Sequence, residues 1–170
     1  MKLSEFLQGK WLGHPLHSAI VHIPVGSWIT ACLLDIAHQA GWLGRASAQL
    51  ALVCVGLGLL GALLAIAPGI ADWAQIKREK PAWKLGLYHM LLNVMAVVVW
   101  ALNFIIRLKA DEFFNSTLLI TSLVGTALVV ASGYLGSLMV FDQGTAVARE
   151  SKKEWREIAQ RAGSKVPEQK

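Results

Sequence analysis

Polar surface is what this chain lacks. Only 16% of its 170 residues are charged, while 55% are hydrophobic, a balance that leaves too little polar covering for a water-soluble domain of this size. Cysteine is nearly missing. Cys32 and Cys54 both sit in apolar runs, which argues against a disulfide framework or a thiolate metal cluster and leaves them as small packing residues. No GxSxG, HExxH, P-loop or GxGxxG element stands in a suitable context, so hydrolytic and nucleotide-binding readings have no support. The excess of basic residues forms no groove with interleaved aromatics, so nucleic acid is not an expected partner. No internal repeat or low-complexity segment is evident along the chain.

What the chain has instead is four long apolar runs, at about Pro15–Gln39, Ala46–Ile70, Leu85–Leu108 and Thr117–Phe141. Crossing about 30 Å of hydrocarbon takes roughly 20 such residues in a helix. The runs predict an all-α integral membrane protein, an up-down bundle of four transmembrane helices joined by short connections. The first fifteen residues, MKLSEFLQGKWLGHP, have no apolar core, so they do not read as a cleaved signal. The chain then divides into a short segment 1–14, a membrane domain 15–144 and a charged tail 145–170. In that tail Val147, Trp155, Ile158 and Ala162 recur near helical spacing among basic residues, as in an amphipathic helix on an anionic leaflet.

Thirteen of the sixteen Lys and Arg fall on one side: Lys2 and Lys10, the group from Lys77 to Lys84, and the tail. Only Arg45, Arg107 and Lys109 fall on the other. By the positive-inside rule both termini are cytoplasmic. Trp11, Trp42, Trp73 and Trp83 lie near the predicted span ends, where aromatic anchors belong.

Ionisable residues inside spans are costly and point to function. His22 lies about seven residues into the first span, roughly 10 Å at 1.5 Å per residue, and His89 five into the third, roughly 8 Å. The other two spans bring Gly69, Asp72, Gly133, Tyr134 and Gly136 to the same level. Imidazoles at matched depth suit a metal, and haem iron takes one histidine from each of two facing helices. The expected axial pair is therefore His22 and His89 on haem b. Glycines would make room for the macrocycle, and Lys10, Trp11, Lys77 and Lys84 would stand near its propionates.

His17 is about 140° from His22 on an ideal helix and reads as a second-site ligand, a quinone or propionate hydrogen-bonder, or an interfacial residue. His14, before Pro15, reads as a helix-start residue near the headgroups. Asp72 could cap, pair with Lys77, or orient a ligand histidine. Tyr134 reads as a site hydrogen-bonder or an interface anchor. Asp35 sits near the outer end of span one, suited to a partner on another span, a proton path or nearby water.

Two rival readings remain open. One is a non-haem metal site of zinc, copper or iron held by His14, His17, His22 and Asp72. The other is a cofactor-free accessory subunit of a membrane complex. An electron-transfer subunit, alone or associated with further copies, is favoured over a stand-alone enzyme.

The stretches GHPLHSAIVHIPVG, CLLDIA, GALLAIAPGIADW, LYHMLLN and SGYLGSLMVFDQG together resemble a bacterial family of four-span membrane proteins, domain of unknown function 2231, over roughly residues 13 to 145. The HPLH–HIP start is the most specific piece, followed by Asp72, His89 and Asn93. The resemblance implies a bacterial inner-membrane location. Family members joined to a Rieske-type iron–sulfur domain, together with a likeness to di-haem cytochrome b bundles, imply redox work with quinone or another redox subunit. Rieske cysteines are absent here, so such a domain would be a separate chain. Leu138 and Gln143 stand where the family often has an acidic residue and a histidine, which removes any second site built on those positions.

Overall fold

The computed structural model describes residues 3–109 and 115–145, and every regular element within them is helical. A short helix α1 (Leu3–Leu7) and a 3-10 turn (Lys10–Leu12) precede the membrane part. The first span is split into α2 (Leu16–Ile20) and α3 (His22–Gln39). It is followed by α4 (Arg45–Trp73), α5 (Pro81–Lys109) and α6 (Ser116–Phe141). All four spans are long and apolar enough to cross a bilayer, and a helix is the form that satisfies its own backbone there. The tail expected to lie on the membrane surface falls, apart from Thr145, outside the described residues.

Pro24 explains the split in the first span. It has no N–H to offer the Ile20 carbonyl and its ring crowds that carbonyl, so the run divides at Val21. Pro68 sits inside α4 and removes the donor for Leu64 in the same way. Asn115 starts α6, its Oδ1 accepting from the Leu118 N–H at 3.0 Å.

The helices pack as two antiparallel hairpins, α2/α3 with α4 and α5 with α6, closed into a bundle by α3 on α6 and α4 on α5. Small residues set these approaches. A methyl on Gly58 would lie 2.3 Å from Trp28 Nε1, and one on Gly125 would lie 2.6 Å from Trp100 Nε1. Each indole therefore lies directly on a bare stretch of the neighbouring backbone. Across the bundle the two indoles stack on each other, ring centroids 5.6 Å apart and planes 7° from parallel.

These contacts expose a repeat that is not apparent by inspection of the sequence. His89, Trp100 and Arg107 follow His17, Trp28 and Asp35 by one interval, 72 residues. Gly125, Ser132 and Gly136 follow Gly58, Ala65 and Gly69 by another, 67 residues. The second hairpin thus repeats the first, and three residues meet their own counterparts: His17 with His89, Trp28 with Trp100, and Asp35 with Arg107. A residue that touches its counterpart lies on the two-fold axis. Both hairpins start from the same end of the bundle, so this pseudo-axis runs along the membrane normal. Few residues are identical between the halves and the interval changes between helices, which hides the repeat from a one-dimensional reading.

Candidate functional site

Helix α4 leaves a bare surface at Gly69, and α6 does the same at Gly136. These two features seat two imidazoles on the axis, at the end of the bundle where the described chain begins and ends. The rings belong to His17 and His89, with centroids 6.4 Å apart and planes 86° from parallel.

Each ring is fixed by the other helix of its own hairpin. His17 Nδ1 lies 2.9 Å from the Ala65 carbonyl on α4. His89 Nδ1 lies 2.8 Å from the Ser132 carbonyl on α6, the repeat-equivalent position, and 2.9 Å from the Ser132 hydroxyl. A carbonyl oxygen only accepts, so in both rings Nδ1 carries the proton and Nε2 the lone pair. The Ser132 hydroxyl donates in turn to the His89 carbonyl at 3.2 Å. A metal-ligating histidine is oriented by this kind of Nδ1–H to carbonyl bond.

The pair departs from symmetry at one atom. The Asn93 amide donates to His89 Nε2 at 3.0 Å and to the His89 carbonyl at 2.9 Å. Val21 holds the matching place beside His17 and has nothing to donate. Asp72 is half-buried next to the pair, within electrostatic reach of His17 and hydrogen-bonding reach of Gln8. Gln8 also donates to the Ala71 carbonyl at 3.3 Å and accepts from Gln75 at 3.0 Å, which ties the N-terminal segment to the end of α4.

The structure brings His89 together with His17 and not with His22. His22 is on an exposed face of α3, with only the Ala19 carbonyl 3.4 Å from its Nδ1, and it does not meet His89. Five residues separate it from His17, more than a full turn, so the two point apart. Tyr134 is 64% exposed and faces away from the pair, and His14 is exposed before α2. The non-haem set of His14, His17, His22 and Asp72 is not brought together. Among the described residues no three His, Cys, Asp or Glu side chains converge as a metal-ion site. Gly69 and Gly136 do border the site, but they make room for the imidazoles themselves. A methyl on Gly69 would lie 2.8 Å from the His17 ring, and one on Gly136 3.3 Å from the His89 ring.

The other end of the axis holds a cluster that sequence reasoning left unassembled. Asp35 is 0% exposed and the Arg107 side chain 3%, and they form an ion pair. Arg107 Nε donates to Asn103 Oδ1 at 2.7 Å, and the Ser122 hydroxyl donates to the same Asp35 oxygen that takes Arg107. Asn103 donates to the Thr121 hydroxyl at 2.7 Å and to the Leu118 carbonyl at 3.1 Å. The available signal was the matched spacing of 17, 28, 35 and 89, 100, 107.

Fold and site together define a multi-pass α-helical membrane protein with a histidine pair on its axis. The chain belongs to the DUF2231 family, described as predicted membrane proteins, whose profile matches residues 13–149. Searches of curated proteins and of solved structures return no match.

Proposed function

We propose that this protein is a b-type cytochrome-like electron-transfer subunit of the bacterial inner membrane, with haem b held between His17 and His89 and both termini in the cytoplasm. The observation that carries the reading is the axial imidazole pair, each ring oriented through Nδ1 by a backbone carbonyl at equivalent positions. A structural zinc ion needs about four protein donors and a catalytic one about three. Haem needs only two, because the porphyrin supplies the other four nitrogens.

The chain's own residues have stated tasks in this reading. His17 and His89 ligate through Nε2, while the Ala65 and Ser132 carbonyls hold the rings in that tautomer. Asn93 must turn its amide away from His89 Nε2. The hairpins must part at this end to admit a flat macrocycle between the rings, since the glycine-lined space is already filled. Haem would supply one-electron chemistry within the bilayer, and a quinone or a separate redox subunit is the partner class such a carrier serves.

The test is a reduced-minus-oxidised spectrum of the detergent-purified protein, expressed with haem supplied. Soret and α bands at about one haem per chain support the proposal. Protein that is folded yet has no such bands overturns it.

A further inference from the structure

Two of the three axial pairs are identical residues, His17 with His89 and Trp28 with Trp100. The third is not. A residue on a true two-fold axis faces its own copy, so identical pairs would form equally well if a hairpin met a second copy of itself. Asp35 with Arg107 would not. Two copies of the first hairpin would bring two carboxylates together, and two copies of the second would bring two guanidiniums together, each in a fully buried place.

The hydrogen-bond support for the pair is equally one-sided. Asn103, Thr121 and Ser122 all come from the second hairpin. The first has Ala31, Cys54 and Val55 at the matching positions. Among the described residues, the second hairpin surrounds its guanidinium with neutral polar side chains and the first supplies the carboxylate without such a cradle. Among the described residues Asp35 Oδ1 and Arg107 Nη1 have no hydrogen-bond partner. A buried ion pair is weak evidence for stability, and in some systems such a pair specifies an arrangement instead. Helices in lipid have little apolar driving force to tell one another apart, which leaves charge as the means of discrimination.

We propose that Asp35 and Arg107 act as a partner-selection lock, making the α2–α4 hairpin accept only the α5–α6 hairpin and refuse a second copy of itself. The surface that is guarded is the hairpin face carrying the axis, and its committed occupant is the other hairpin of the same chain. The inference is independent of haem.

The experiment co-expresses two differently tagged full-length copies and measures mixed-tag complexes after detergent extraction, for wild type and for two charge-free variants, D35L/R107L and D35N/R107Q. Each variant is first checked for monodispersity and a cooperative thermal transition. The lock predicts folded protein in which mixed-tag complexes rise several-fold over wild type, because hairpins now pair between chains. Folded variants that stay at the wild-type level of mixing overturn it. So does failure of both variants to fold, since the pair would then be a stabiliser and not a selector. A rise in either variant supports it.

Discussion

Trp28 lies flat on Trp100, planes 7° from parallel and centroids 5.6 Å apart, and each is the other's counterpart in a repeated hairpin. Each indole also rests on a glycine of its own hairpin, Gly58 or Gly125, at distances that leave no room for a methyl. The centre of the bundle is therefore set by four residues in two equivalent couples.

Gly58→Ala and Gly125→Ala should each lower thermal stability in detergent, by about 1–3 kcal/mol from overpacking. Gly133 also lies in α6, but a methyl there meets nothing within 4 Å. Gly133→Ala should be silent, or raise stability by up to about 1 kcal/mol through helix propensity. Equal effects at all three positions would show that the indole contacts do not govern the packing.

The two histidine seats differ in tightness. At Gly69 an added methyl would meet the His17 ring at 2.8 Å, whereas at Gly136 it would stay 3.3 Å from the His89 ring. Gly69→Ala should displace the His17 ring and abolish most haem binding, while Gly136→Ala keeps most of it. Haem content per chain, measured by pyridine haemochrome, reads the difference.

Asn93 occupies the His89 nitrogen that a metal needs. Asn93→Val copies the first repeat, where Val21 leaves the corresponding space without a donor. The variant should bind haem more tightly, by about the 0.5–1.5 kcal/mol that a competing hydrogen bond contributes. Haem titration of the apoprotein checks this, and weaker binding would assign Asn93 a supporting role instead.

Removing one partner of the Asp35–Arg107 ion pair leaves a buried charge uncompensated. Asp35→Ala and Arg107→Ala should each destabilise the protein by about 3–5 kcal/mol, visible as loss of monodisperse protein after extraction. The charge-free double variants should be milder, because no lone charge remains.

The four-span helical architecture was legible because apolar runs of span length admit few other outcomes in a chain so poor in charge. His89 was legible as an intramembrane imidazole, but its partner was not. Counting depth from Pro15 favours His22, whereas His17 shares the helix face of Trp28 and Asp35 and is seated against the bare backbone at Gly69. That shared face was present in the spacing; the seat at Gly69 is a tertiary fact. Arg107 was counted as one of the few basic residues of the outer side, and its burial against Asp35 follows from pairing between hairpins that no local pattern encodes. The repeat that would have revealed both partners rests on few identities spread over two different intervals.

Parallel spectra of His17→Ala, His89→Ala and His22→Ala test most directly whether His17 and His89 together hold one haem. If they do, the reduced Soret and α bands are lost or converted to a single-ligand form in the first two and unchanged in the third. Bands that survive in His17→Ala and vanish in His22→Ala would contradict it.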